Sequence, residues 1–326
     1  MTRRARSRRI AAGWTVATLC ALALAGCSKG AVTGSAGTEV DTAAKPDTTA
    51  GRTPTTRPVK TTPLAKLTGA HISIADGQTV GVGMPMSVTF DHAIPAGERA
   101  EVERQLKVDA DVEGSWSWVK DRNLLEGQRV DFRPRAYGAP GTAVTVRAGS
   151  GITRPFTVGR SLVATVDERT HMMRVVKDGQ TRNVPITAGA PGMDTWNGTM
   201  VVSDKATKVF MNSQTVGYGD AYAGYCSYAV HLTTSGTYLH QNPKAHTYAG
   251  HQNVTHGCVG LATDGTARKF YDEVIPGDVI TVVGSKDTVA VGNGYGYGYG
   301  YGYGYGYGYG DWNADWAQWR AGSALK

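Results

Sequence analysis

From about residue 69 to residue 283 the chain is written in short runs where apolar and polar side chains alternate and glycine, proline or aspartate closes each run. Successive side chains of a strand point to opposite faces, so a period of two buries one face of a sheet and cannot form the stripe a helix needs. "HISIADG", "MSVTFD", "QRVDFRP" and "AVTVRAG" are of this kind. The unit they build, residues 67–158, has the strand spacing and size of a small immunoglobulin-like β-sandwich. Only "AGERAEVERQLKV" breaks the pattern, and Val102 and Leu106 on one side of it predict a short helix between strands.

The second unit, residues 159–284, opens with Leu162, Ala164 and Val166 alternating with polar residues, and Asp178-Gly179 marks a hairpin turn. Strand text continues through "GTMVVSD", "TKVFMN", "YAVHLT", "GTYLH" and "DVITVVG". One main helix is expected over 264–275, with Asp264 as N-cap and Ala267, Phe270, Tyr271 and Val274 on its inward face. The fold class is mostly β: a sandwich, a β-rich domain with one main helix, and a C-terminal segment, 311–326. There Trp312, Trp316 and Trp319 fall at one face of a helix and must bury themselves, most simply on the preceding domain. Between them, residues 285–310 carry a Gly-Tyr repeat with no alternation that could cover a core, and read as a linker.

The N-terminal region places the folded part outside the cytoplasm. Arg3, Arg4, Arg6, Arg8 and Arg9 precede an apolar run from Ile10 to Leu24 that is short for a bilayer span of about 20 residues. This is the pattern of a secretory signal, residues 1–26. Its end, Leu24-Ala25-Gly26-Cys27, resembles a bacterial lipoprotein lipobox, which implies lipidation of Cys27 and anchoring to the outer face of the cell membrane, within the cell wall. Residues 27–66, rich in Thr, Pro and Ala, read as a disordered tether with a mean reach of roughly 30 to 40 Å. The formal charge of +7 does not signal a nucleic-acid partner, because five of those charges are the signal's arginines and no basic stripe with interleaved aromatics remains.

The chemistry concentrates in "GHQNVTHGCVGL", residues 250–261, which with His231, His240 and His246 upstream holds five of the eight histidines. A metal site is one possibility, but zinc ligands usually come in pairs separated by two to four residues, and His-x-x-x-His on a helical pattern does not occur here, His251 and His256 being five apart. A disulfide between Cys226 and Cys258, the two cysteines beyond the signal and Cys27, is another, and it would block the thiol. The third is a nucleophilic thiol, for which Gly257 supplies a tight turn and access. A neighbouring imidazolium would lower the thiol pKa, and the amides around Gly257-Cys258 would face an oxyanion, a contribution of about 3 kcal/mol.

His240, fourteen residues, and then Thr255-His256-Gly257-Cys258 resembles the signature of the L,D-transpeptidase (YkuD-type) catalytic domain. "ATVD", "TWNGT", "LTTSGTYLH" and "FYDEVIPGDVITVV" are similar to the same domain. "VGVGMPMSVTF", "GSWSWV", "FRPRAY" and "GTAVTV" resemble the immunoglobulin-like domain that precedes it in actinobacterial lipoproteins, and "GDWNADWAQWRAG" their C-terminal segment, which packs on the catalytic domain. The resemblance covers roughly residues 69–326 apart from the repeat. It implies a peptidoglycan-modifying acyltransferase without metal or cofactor. Cys258 would take the acyl group of a tetrapeptide donor stem with loss of D-alanine, and an amine of an acceptor stem would resolve the thioester into a 3→3 cross-link. It also implies carbapenem-type β-lactams as covalent inhibitors.

Within that pattern His240 and His256 are both candidates for the proton shuttle, His240 being favoured. Ser235 and Gly236 match a segment lining the donor site, Tyr222 falls where a lid tyrosine approaches substrate, and Thr255 and Gly257 shape the nucleophile's turn. Gly260 departs from the Asn or Arg common two residues after the nucleophile, and Gln241 and Lys244 differ from the residues common after the histidine. A carboxypeptidase on the same scaffold, or a wall-binding lipoprotein with Cys258 in a disulfide or metal site, are the alternatives the residues leave open.

Overall fold

The computed structural model describes residues 67–121, 123–285 and 309–325. The expected signal, the proposed lipidation site Cys27, the expected tether and nearly all of the Gly-Tyr repeat lie outside the described residues.

Eight strands build the first unit: β1 Ala70–Ile72, β2 Gln78–Val80, β3 Met86–Phe90, β4 Leu106–Asp109, β5 Gly114–Trp118, β6 Arg129–Pro134, β7 Ala143–Ala148 and β8 Ile152–Val158. They form two four-stranded sheets, ordered β1-β3-β6-β5 and β2-β8-β7-β4. Val80, Val88, Val130 and Val146 are sealed between them, with Trp116 against Phe132 edge to face at 5.4 Å. The helix α1, Arg99–Arg104, is shorter than the apolar spacing predicts. Leu106 opens β4 instead and pairs with Ala148, because a strand position in this core buries the leucine more completely than a further helical turn could.

Nine strands follow: β9 Leu162–Asp167, β10 Met172–Lys177, β11 Gln180–Pro185, β12 Gly198–Val201, β13 Asp204–Asn212, β14 Ala223–His231, β15 Tyr238–Gln241, β16 Val259–Leu261 and β17 Val279–Val283. One sheet runs β11-β10-β9-β17-β12 and the other β13-β14-β15-β16, antiparallel except for β17 with β9 and β15 with β16. The first sheet contributes Leu162, Val166 and Val175 to a common core and the second contributes Leu232, Leu239 and Leu261. Each such side chain stabilises by about 1.5–3 kcal/mol when taken from water. Asp178 and Gly179, both at positive φ, turn β10 into β11 as their sequence predicts.

A short helix α2, Ala245–Tyr248, follows β15. The main helix, α3, runs Thr266–Glu273 and buries Ala267 and Phe270. It is shorter than the stretch 264–275: Gly265, at φ +102, occupies the cap position, and Asp264 stands one residue outside, its carboxylate accepting the Thr266 N–H at 3.0 Å.

The two units meet where Gly81 and Gly83 donate to the carbonyls of Pro276 and Gly277. A Cβ on Gly81 would lie 2.3 Å from backbone atoms of Gly277 and Asp278, so only glycine permits this approach. The C-terminal segment spans the junction, and here the structure corrects the sequence reading. The tryptophans do not share one helix: Trp312 lies in a 3₁₀ turn, Asp311–Asn313, while Trp316 and Trp319 lie on α4, Trp316–Ala321, started by a capping box of Asp315 and Gln318. What unites them is the Arg133 guanidinium of β6, which sits 4.7, 5.5 and 5.0 Å from the rings of Trp312, Trp316 and Trp319. Trp312 and Trp319 donate to the carbonyls of Gly83 and Ser115, so the indoles bury on the sandwich. Asn313 exchanges hydrogen bonds with the Thr199 backbone, and Tyr309 bridges to Val201, so the same segment grips the second unit too. Trp319→Ala should destabilise the folded chain by about 3–5 kcal/mol through the cavity it opens, read as a lowered denaturant midpoint.

Candidate active site

A tight turn from Thr255 to Cys258 carries the thiol to the start of β16. The Thr255 hydroxyl donates to the Cys258 carbonyl at 2.6 Å and accepts the Gly257 N–H at 3.3 Å, while the Thr255 backbone is bonded to Ala188 and Ala190. Gly257 has φ +106, which a side chain would strain. The Thr-His-Gly-Cys string is thus a hydrogen-bonded turn with a glycine where the backbone requires one.

β15 lies parallel to β16 with Leu239 opposite Val259 and His240 opposite Gly260, so His240 reaches the cavity just past the thiol. The cavity, about 350 Å³, is lined by residues that include Cys258, His240, His256, Tyr222, Lys244, Cys226 and Thr255. His240 is buried, and its Nδ1–H donates to the Gln241 carbonyl at 2.7 Å, leaving Nε2 as the free base. The partner of this ring nitrogen is a main-chain oxygen, which any residue at position 241 supplies.

Burial holds the His240 pKa below the ordinary imidazole value, and the hydrogen bond to Gln241 opposes this only in part. The Cys258 thiol is turned inward, donating to the Gly236 carbonyl at 3.7 Å. Burial pushes it up to about 12, although the Tyr238 backbone N–H pulls the other way. His256 is also shifted down, by burial and by Lys244. Burial therefore works against the expected thiolate–imidazolium pair, favouring the uncharged form of the thiol and of both imidazoles. The expected role of the Gly257 amide is altered as well, since it is turned onto the Thr255 hydroxyl.

Tyr222 packs its ring 5.0 Å from that of His256, with Tyr218 at 6.1 Å on the same imidazole. Burial, and then Cys258, hold the Tyr222 phenol above its usual pKa, so it stays a donor. Ser235 and Gly236 do not line the cavity wall; Gly236 meets Cys258 through its carbonyl, and the Ser235 hydroxyl bonds that of Thr233 at 2.9 Å. Gly260 stands outside the cavity too, in β16, where a Cβ would come within 2.9 Å of both Asn242 and Thr187. The side chain common at that position has no room here.

Three lining features were not singled out from sequence as parts of the site. Cys226 is a free, half-buried thiol on β14, Lys244 reaches in from the start of α2, and Asn242 occupies the space beside Gly260. Lys244 stood out from sequence only as a departure from the family pattern, and folding brings all three to the cavity that Cys258 lines. Among the described residues no group of three or more His, Cys, Asp or Glu side chains is placed to hold a metal ion, and both thiols are free.

Residues 161–283 match the L,D-transpeptidase catalytic domain (YkuD), and residues 31–150 match a bacterial Ig domain. L,D-transpeptidase 1 of Mycobacterium tuberculosis is 33% identical over 230 residues, 68% of this chain and 88% of that protein. The chain belongs to the L,D-transpeptidases. L,D-transpeptidase 5 of M. tuberculosis is 32% identical over 295 residues, 85% of this chain. The chain spans 59% of the length of that relative and 63% of that of L,D-transpeptidase 2. Among solved structures, the complex of the L,D-transpeptidase LdtMt1 with imipenem superposes with a TM-score of 0.60 at 31% identity, covering 67% of this chain and all of that one. An L,D-transpeptidase from Mycobacterium smegmatis gives 0.57 at 27% identity, over 68% of this chain and all of that one. The paired β-sandwich and catalytic fold is thus that of the family.

Proposed function

We propose that this L,D-transpeptidase forms 3→3 cross-links in peptidoglycan through a thioester on Cys258. The observation that carries the reading is that His240 opens onto the same cavity as Cys258 with its Nδ1–H fixed on the Gln241 carbonyl, so that Nε2 is a ready base. As the sulfur attacks the carbonyl of the third residue of a tetrapeptide stem, His240 takes the thiol proton. It returns that proton to the nitrogen of the departing D-alanine, leaving the thioester. An amine on the third residue of a second stem then attacks, His240 accepts its proton, and the thiol is restored as the new amide forms. The protonated Tyr222 hydroxyl is placed to donate to developing negative charge in the cavity, and His256 and Lys244 shape its polar wall. A β-lactam carbonyl would take the same path, the acyl group staying on sulfur. Relatives have been solved with imipenem and with a faropenem-derived adduct.

Secretion and anchoring through lipidated Cys27, with the catalytic unit in the wall outside the membrane, belong to the same proposal and are supported by the N-terminal sequence. Mass analysis of the lipid-bearing N-terminal peptide tests that part.

The purified chain incubated with a carbapenem and with tetrapeptide stems should show a mass adduct on Cys258 and a dimeric stem product. Tripeptide without dimer would mean that water resolves the thioester, and no adduct would sink the thiol chemistry. A neutral pair also predicts unusual pH behaviour. With its pKa depressed, His240 remains a free base down to pH values below the ordinary imidazole range, so carbapenem acylation should fall only in that more acid region. With the thiol near 12, iodoacetamide should alkylate Cys258 at pH 7.5 at least about a hundredfold more slowly than free cysteine, the rate still climbing at pH 10.

A further inference from the structure

We infer that His231 and Asp204 form a positioning pair for the nucleophile, an inference resting on the proposed role of Cys258. His231 ends β14 and is buried, yet both of its ring nitrogens meet acceptors: Nδ1 lies 2.8 Å from the Asp204 carboxylate and Nε2 lies 2.6 Å from the Thr233 carbonyl. Both ring nitrogens are thus engaged, one by a side chain and one by the main chain, and the two bonds together fix the orientation of the ring. Burial pushes the Asp204 carboxyl up, but the bond to His231 and its charge outweigh this and leave it below the usual range. The two residues also face each other across β13 and β14, which fixes the pair from the backbone.

From this ring two short routes lead to the sulfur. The first runs through the turn after β14. The Thr233 carbonyl that His231 holds also accepts the Gly236 N–H at 3.0 Å, and the Thr233 hydroxyl accepts the Thr237 N–H at 3.0 Å. Gly236 then presents its own carbonyl to the Cys258 thiol. The second runs across the sheet: His231 is opposite Tyr238 in the β14–β15 register, and their rings stack at 4.2 Å, 6° from parallel. The Tyr238 backbone N–H is the group that draws the Cys258 thiol down against its burial. Donor and acceptor sites on the thiol thus both stand on residues that His231 holds. His231 does not line the cavity and touches no reacting atom, so its action is on geometry.

An apolar side chain of similar size would fill this site without either hydrogen bond, and a misplacement of about 1 Å at a reacting atom can cost about a hundredfold in rate. His231→Leu should therefore lower the limiting rate of carbapenem acylation of Cys258 by about a hundredfold, with half-saturation changed by less than about twofold. Two polar variants separate the bonds. A glutamine amide reaches where Nε2 stood, so His231→Gln should restore the bond to Thr233 and keep the rate within about fivefold of the parent. His231→Asn reaches only the Nδ1 position and should behave like leucine.

Equal rates in all three variants, or losses confined to half-saturation, would overturn the assignment. So would equal losses in Gln and Asn, and this comparison decides the matter if the leucine variant does not fold. The parent chain is measured first: absence of its Cys258 adduct refutes the thioester reading by itself. In that event iodoacetamide alkylation of Cys258 still tests positioning. Its rate should change at least threefold in the asparagine variant and return in the glutamine variant, and an unchanged rate in both would overturn the pair's role.

Discussion

Cys258→Ala is expected to leave a folded chain that forms no carbapenem adduct and turns over tetrapeptide stems at least about 10⁴-fold more slowly. The size of the loss follows from what the rest of the cavity can supply. Without sulfur no covalent acyl intermediate exists, and His240, Tyr222 and the turn amides can only orient a stem toward water. Cys226 lines the same cavity, but its thiol is half-buried and burial pushes its pKa up as well, so it is not expected to substitute. Intact-protein mass spectrometry after carbapenem treatment checks both points at once: an adduct in Cys258→Ala, on Cys226 or elsewhere, would refute the assignment of the nucleophile. The fold should be unaffected, because the turn is held by the Thr255 hydroxyl and by backbone bonds rather than by the thiol.

His240→Ala should cost about 10²–10⁴-fold in acylation rate at neutral pH, the range for loss of a positioned general base. The neutral resting pair makes this step dependent on His240 even at pH values where a free cysteine would be partly ionised. Since the thiol is held near 12, no reservoir of thiolate remains when the base is removed, and activity in the variant should climb steadily with pH. A rate in His240→Ala that is flat from pH 7 to 10, or within tenfold of the parent, would refute the base assignment. Gln241→Ala supplies the contrast: only its carbonyl meets Nδ1, so the rate should stay within about threefold. His256→Ala should lie between them, because that imidazole is packed on Tyr222 and Tyr218 rather than tied to a proton acceptor.

These expectations mark where the sequence was legible. Alternation along "LVATVD", "MMRVVK" and "VITVV" gave strands, and Asp178-Gly179 gave the turn between two of them, because the period of a strand and the φ of a tight turn are local properties. Leu106 and the tryptophans read less truly. Their helical spacing was real, but Leu106 finds a deeper place in β4, and Trp312 is drawn to Gly83 and Arg133 across a break at Asp315. Local spacing is a weak preference beside burial of a large ring.

For the site, the string Thr255-His256-Gly257-Cys258 and the distant His240 could be picked out, since a turn and a nucleophile leave residue types behind them. The choice of Gln241 carbonyl as partner could not, because a main-chain oxygen leaves no trace in residue identity. Nor could His231, whose two acceptors come from β13 and from the following turn.

By itself the sequence determined the strands, the hairpin, the turn that carries the thiol and the histidine that accompanies it. Each is set by side-chain period, backbone φ or residue chemistry within a short span. Tertiary structure alone decided the burial of His240, the closure of Gly260 by Asn242 and Thr187, the Arg133 clasp and the route from Asp204 through His231 to the sulfur. Those depend on which groups are removed from water together, and that is fixed only when distant segments pack.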